Sequence, residues 1–340
     1  MRLGVQINYA GDIGESIAKV VALEKAGLDL VLVPEAYGFD AISLLGFIAA
    51  RTSRVALGPG IIPIYSRTPA LIAQTAAGLD YVSNGRAVLG LGASGPQVIE
   101  GWHGVAYDRP VTRTRETVEI ARQVWRRERV VHQGLLTVPL QGGSGLGKAL
   151  KMITHPLRDR IPVYLAAIGP ANVQLAAEIA EGWLPFLFIP ERKEAVWGAA
   201  LEAGRARRDP ALGELETIAG GILAMGGDVE AARSVARQVA ALYIGGMGAK
   251  GRNFYNDLAS RYGFGGAAEA IQDRYLAGSK EDAAAKVPEE LVSASNLIGD
   301  VGFLRERLQA YRSAGVSTLL VDPVGSDPVG SFRVLRRLTE

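Results

Sequence analysis

Residues 55–95, VALGPGIIPIYSRTPALIAQTAAGLDYVSNGRAVLGLGASG, restrict the fold more than any other stretch of the 340-residue chain. Val55 to Leu57 are apolar and closed by Gly58-Pro59-Gly60, the pattern of a short buried strand. Pro69 suits the first turn of a helix, where its missing N–H has no partner to lose. Leu71, Ile72, Thr75, Leu79 and Val82 then repeat at helical spacing, and Asn84-Gly85 supplies a left-handed stop. Residues 87–91 form the next buried strand. Two successive parallel strands therefore each end in a glycine-rich loop, where backbone can approach a ligand closely.

The same alternation runs through the chain. Strands are predicted at residues 3–7, 29–33, 55–57, 87–91, 162–167, 182–186, 215–225 and 317–321. Helices are predicted at 13–26, 42–50, 69–82, 112–127, 171–180, 229–243 and 330–338. Eight such units, without a break in composition, predict one (β/α)8 TIM barrel over residues 1–340 rather than a doubly wound sheet. Residues 130–159 and 244–297 do not fit the repeat. They read as insertions after units four and seven, and connections that long in a compact domain serve as lids or binding loops.

Composition narrows the function. Lysine and arginine number 37 against 35 acids, a net charge of +2, which gives no argument for nucleic acid or an anionic membrane. The absence of cysteine removes disulfides, thiolate metal sites and cysteine nucleophiles. The first residues turn polar too early for a signal peptide, and no apolar run reaches the ~18 residues of a membrane helix. The expectation is a cytoplasmic enzyme with a small-molecule substrate.

Several motifs carry chemistry. Gly90-Leu-Gly92-Ala-Ser-Gly95 has the spacing of a dinucleotide loop and follows a strand. A Rossmann site needs a helix at once and an acid at the end of the next strand; here the next long helix is predicted to begin near Thr112. The loop is better suited to holding an anionic group on free N–H groups. Gly142 to Lys148 resembles a P-loop, but Ala149 replaces the magnesium-binding hydroxyl, and the segment reads as a surface loop. His103, His132 and His155 lack metal spacing, so no metal is expected. His103, beside Trp102 in the loop after strand four, is a candidate acid or substrate contact, with a structural histidine as the alternative. Glu35 ends strand two, on the face where barrels keep their chemistry; it either donates a proton, binds a ring N–H or caps a neighbouring loop. Tyr37, Asn8 and Tyr65 occupy similar strand or loop ends. The arginine-rich run 122–129 reads as a solvated helix end.

The stretch 57–95 resembles the signature of the luciferase-like oxidoreductases, flavin- or deazaflavin-using (β/α)8 barrels. The similarity continues through VLVPEAYGFD, EGWHGVAYDRP, RTRETVEIARQVW and VYLAAIGPANVQLAAEIAEGWLP, and points to the coenzyme F420-dependent branch. The resemblance implies a cis peptide at Gly60–Ile61, with Ile62 following, backing the deazaflavin ring. It implies that Gly92, Ala93, Ser94 and Gln97 hold the ribityl or phosphate part. Ala167, Ile168 and Gly169, with Ala171 and Asn172, would contact ring and tail, and Glu35 would be an acidic cofactor contact. The F420-dependent glucose-6-phosphate dehydrogenases carry a histidine after that acid and a glutamate after the loop glycine. Here these positions are Ala36 and Ala93, which argues against sugar-phosphate oxidation. The resemblance thus implies hydride transfer between F420 and an organic substrate in a homodimer, with Glu35, Tyr37, His103 or water supplying any proton. The alternatives are an FMN-dependent monooxygenase or a non-catalytic flavin-binding barrel on the same fold, and an NAD enzyme on another.

Overall fold

The computed structural model describes residues 1–7 and 11–340; Asn8 lies outside the described residues. Among the described residues there are eleven strands: β1 (Arg2–Gln6), β2 (Leu30–Val33), β3 (Ala56–Pro59), β4 (Ile62–Pro63), β5 (Leu89–Gly92), β6 (Val163–Ala166), β7 (Gly182–Leu184), β8 (Glu216–Ala219), β9 (Ile222–Ala224), β10 (Leu297–Ile298) and β11 (Thr318–Pro323). They run parallel in the order β3-β2-β1-β11-β8-β7-β6-β5-β4. β3 and β4 are two halves of one stave, and a parallel bridge from Leu57 to Ala87 joins the ends of the path. With β8 and β9 likewise one stave and β10 outside the ring, eight staves remain, as the sequence predicts.

Strand alternation explains why the strands read as unbroken apolar runs. Leu30, Leu32, Val88, Tyr164, Leu184 and Ile218 fill the barrel interior. Their neighbours Val31, Val33, Leu89, Leu91, Leu165 and Trp183 pack outward under the helices. Both faces are buried, so no polar face is left to alternate. Helices start where short polar side chains can accept an orphan N–H: Asp12 from Glu15, Asp40 from Ser43, Thr68 from Leu71.

Four expectations need correction. First, a helix at Lys193–Arg205 was not predicted; its Gly198 and Gly204 break the apolar stripe, because Gly204 lies against the Gln174 carbonyl, where a Cβ would come within 2.3 Å. Second, a helix at Val301–Ser313, N-capped by Asp300, precedes β11. Third, residues 244–297 are not a loop. They form helices Phe254–Ala259, Gly265–Leu276, Lys280–Ala285 and Glu289–Ser295, and end in β10, which pairs with β9. The glycines that hid this pattern let the turn Leu242–Gly246 pack on Tyr275. Fourth, the run 122–129 is more than a solvated face. Arg122 bonds the Ile179 carbonyl at 2.7 Å and Glu181 at 3.1 Å, tying its helix to the start of β7.

Residues 130–159 do remain largely irregular. An antiparallel bridge, His132 to Val138, makes a small hairpin, and the GGSGLGK segment is exposed, as its reading as a surface loop expects. Glu116 anchors this insertion. Its carboxylate accepts N–H bonds from Leu135 (3.1 Å) and Leu136 (2.6 Å), and His132 Nε2 lies 3.3 Å away. Burial pushes the Glu116 carboxyl up, but the two N–H bonds and His132 outweigh it and hold it below the usual range.

Two predictions follow from this packing. A Cβ at Gly90 would lie 2.0 Å from the Pro59 carbonyl oxygen, a backbone atom that cannot step aside, whereas Gly78 faces open space on helix Pro69–Val82. Gly90→Ala should destabilise the protein in urea by about 1–3 kcal/mol or more, and Gly78→Ala should stabilise it by about 0.5–1 kcal/mol. A depressed folded-state pKa contributes stability above the unfolded value of about 4.3 and loses it as pH falls through the folded value. Glu116→Gln should therefore lower Tm near pH 7, with the deficit closing in acid.

Candidate active site at the barrel mouth

The third stave changes partners in mid-course. β3 pairs with β2 up to Val33↔Pro59, and β4 pairs with β5 from Ile62↔Leu91. Between them the Gly60–Ile61 peptide is cis, at the position the sequence resemblance implied. The Gly60 N–H donates to the Val33 carbonyl at 2.7 Å, and the Ile64 N–H to that of Gly92 at 3.0 Å. Glycines make this possible. A Cβ at Gly58 would lie 2.2 Å from the Val88 carbonyl oxygen, and one at Gly92 would lie 2.9 Å from Ile61 Cδ1. Backbone and the Ile61 side chain, rather than bulky groups, therefore form this side of the mouth.

The loop after β5 continues the wall. Ala93 is buried, Ser94 takes a left-handed φ of 58°, and Gly95 opens a short helix, Pro96–Gly101, ahead of the predicted helix near Thr112. The Tyr107 hydroxyl donates to the Ser94 carbonyl at 3.3 Å, and burial pushes that phenol up to about 12. Tyr65 stacks beside Tyr107 at 5.4 Å, with the Arg113 guanidinium 5.0 Å over its ring. Gln97 is exposed.

After β6 the chain is held from outside. Trp183 Nε1 donates to the Ala167 carbonyl at 2.9 Å, and Trp197 Nε1 donates to that of Ile168 at 3.0 Å. Arg261 Nη2 reaches the same Ile168 oxygen at 2.7 Å. Gly169 then opens helix Pro170–Ile179, with Ala171 exposed and Asn172 half-buried at its start. Three separate loops, after β3, β5 and β6, thus present backbone to one sector of the mouth.

The candidate proton carriers fare differently. Glu35 is almost fully buried and engaged on both oxygens. It forms an ion pair with Arg67 Nη1, accepts from Arg67 Nη2 at 3.0 Å, and accepts the Ala41 N–H at 2.8 Å. It braces the loops after β2 and β4, the capping role held open by the sequence. Arg67 was not singled out in sequence, since an arginine in a loop carries no signal until its partner is known. Tyr37 is 58% exposed. His103 is half-buried, with Nε2 buried and unbonded among the described residues. No cluster of metal-ligating side chains occurs among the described residues.

Two features of the mouth were missed. Phe186, after β7, packs on Tyr243 (4.2 Å between ring centres) and Tyr255 (5.6 Å), and these two meet at 4.8 Å. Burial raises both phenols, and Tyr37 adds to the effect on Tyr243. Tyr243 ends the predicted helix 229–243, just past the observed helix Val229–Ala241, and Tyr255 comes from the segment where sequence periodicity gave out. The other is Asp322 near the end of β11, one residue beyond the predicted strand.

Comparison with known proteins agrees with this geometry. The family model described as luciferase-like monooxygenase matches residues 1–318. A Mycobacterium tuberculosis protein with the provisional name coenzyme F420-dependent oxidoreductase is 39% identical over 98% of this chain and 99% of its own. The 5,10-methylenetetrahydromethanopterin reductase of Archaeoglobus fulgidus is 29% identical over 92% of this chain and 90% of its own. Among solved structures, the coenzyme F420-dependent tetrahydromethanopterin reductase of Methanopyrus kandleri superposes with a TM-score of 0.81 at 23% identity, covering 98% and 96% of the two chains. Barrel, broken third stave and full-length sequence similarity together place the chain in the luciferase-like monooxygenase family.

Proposed function

We propose that this protein is a coenzyme F420-dependent oxidoreductase that transfers a hydride between the deazaflavin and a small organic substrate at the barrel mouth. The observation that carries the reading is the 39% identity, end to end, with the mycobacterial F420 protein. Gly58, Gly90 and Gly92 leave no room for side chains, so backbone lines this sector of the mouth, which supports the reading of a planar ring lying against it.

When bound, F420 supplies a ring carbon that takes or gives hydride, so the protein needs to bind, orient and exclude water. Gly60, Ile61 and Ile62 would back the ring. Gly92, Ala93 and Ser94 with Gln97 would hold the chain that follows it, and Ala167, Ile168 and Gly169 with Ala171 and Asn172 would close the third side. Glu35 acts here as a brace: with Arg67 it ties the loop after β2 to the loop after β4, beside the ring-backing segment. Phe186, Tyr243 and Tyr255 form an apolar wall with phenolic tips on the insertion side, suited to a substrate with both apolar and hydrogen-bonding parts. The same reading makes the protein a cytoplasmic homodimer, which light scattering of the purified protein checks for its dimeric part.

Fluorescence titration of the purified protein with F420, FMN and NAD tests the proposal. Saturable binding of F420, at least about tenfold tighter than that of FMN or NAD, is expected. Preference for FMN would move the protein to the monooxygenases of its fold. Gly92→Val pushes a side chain onto Ile61 and Ala166. It should weaken F420 binding at least about tenfold while circular dichroism keeps the wild-type signal.

A further inference from the structure

Asp322 lies on β11, which stands four staves from β5 in either direction round the ring, and so faces the glycine-lined sector from the opposite side of the mouth. Leu320, two residues earlier, packs in the barrel interior, whereas Leu319 and Val321 pack under the helices. Strand alternation therefore turns the Asp322 side chain inward, above Leu320. Its N–H is spent on the Gly221 carbonyl at 3.0 Å. Among the described residues its carboxyl has neither a hydrogen bond nor an ion pair.

The surroundings explain its state. Lys19, from helix Ile13–Lys25, is the nearest opposite charge, but its Nζ donates to the Pro323 carbonyl at 2.9 Å. Asp228 is turned onto Ser326, and Asp327 caps the Gly330 N–H. β1 contributes the neutral Gln6 and β9 the apolar Ile222 and Leu223. The residue is exposed to solvent, although neighbouring protein crowds its carboxyl. Burial raises its carboxyl above the ordinary range, and Lys19 offsets only part of this.

We propose that Asp322 is the acid–base residue of the reaction, exchanging a proton with the O–H or N–H of a substrate whose adjacent carbon exchanges hydride with the cofactor in the facing cradle. This rests on the F420 reading above. In the oxidative direction the C–H bond of an alcohol or amine breaks, and its hydrogen leaves with both electrons to the deazaflavin. The heteroatom closes a C=O or C=N bond as its proton passes to the Asp322 carboxylate. In the reductive direction the protonated carboxyl returns that proton to a carbonyl or imine as hydride arrives at carbon. Two electrons and one hydrogen go to the ring and one proton to the protein, so the step balances. Glu35 is unsuited to this role because Arg67 and the Ala41 N–H occupy its oxygens.

Carbon-13 NMR of aspartate-labelled protein is the first test. One carboxyl carbon should titrate above the ordinary aspartate value of about 3.9, vanish in Asp322→Asn, and move further up when F420 covers the mouth. A raised folded-state pKa makes the native form bind more protons than the unfolded one, so stability falls as pH rises through that window. Asp322→Asn should therefore melt above wild type at pH 8, with the gain closing towards pH 3. Screening secondary alcohols and secondary amines with F420 separates the two substrate chemistries. With any compound turned over, Asp322→Asn should lose about 10²–10⁴ in kcat and one limb of the pH profile, and Asp322→Glu should recover part, with F420 binding to the asparagine variant no weaker than to wild type. An unshifted carboxyl, or wild-type turnover and pH profile in the asparagine variant, overturns the proposal. Failure of F420 to bind wild type overturns the cofactor reading instead, and the apo-protein titration still reports on Asp322.

Discussion

The barrel closes because nothing but hydrogen stands between β3 and β5. At Gly58 and Gly90 each strand occupies the space a methyl group would need beside the other's backbone, with carbonyl oxygens 2.2 and 2.0 Å from the hypothetical Cβ. That approach lets one stave divide its pairing, β3 to β2 and β4 to β5, with the turn of the chain at Gly60–Ile61 half-buried at the rim. The closure and the cradle are therefore one feature. Side chains at these positions would spread the ring and fill the mouth at the same time.

A cradle made of backbone needs its loops held from behind, and the protein does this with side chains that never enter the mouth. Trp183, Trp197 and Arg261 fix the carbonyls of Ala167 and Ile168. Tyr107 fixes that of Ser94, and Glu35 with Arg67 fixes the loops after β2 and β4. The buried indole N–H groups of Trp183 and Trp197 find their acceptors in these carbonyls, so polar satisfaction and loop rigidity are met by the same bonds. This explains why the site shows no triad or metal cluster among its described residues: its polar chemistry serves positioning.

What was legible in the sequence follows from the range of the interaction concerned. The staves, their helices and the glycine-rich rim were readable because each is a local pattern: an apolar run, a cap, a glycine pair. The helices Lys193–Arg205 and Val301–Ser313 were not, the first because Gly204 is set by packing on another helix. The helical nature of residues 244–297 was hidden for the same reason, as Gly245 and Gly246 answer to Tyr275 nearly thirty residues on. Among site residues, Gly60 and Gly92 announced themselves, whereas the partnership of Glu35 with Arg67 joins two loops 32 residues apart and leaves no local trace.

That partnership changes how the acids at the strand ends are to be understood. Both Glu35 and Asp322 stand at carboxyl ends of barrel staves, the position where sequence alone assigns chemistry. Their environments separate them. Glu35 spends its oxygens on a guanidinium and a backbone N–H, and such a group holds structure at the cost of proton mobility. Asp322 has solvent on one side, apolar staves on the other and no bonded partner among the described residues, an arrangement that destabilises its charge and leaves it free to trade a proton. With alanine at positions 36 and 93 the cradle side carries no acid–base pair of the sugar-phosphate type. On the F420 reading proposed above, the proton chemistry of this mouth falls to the opposite wall, and a substrate would lie between the group that handles its hydride and the group that handles its proton.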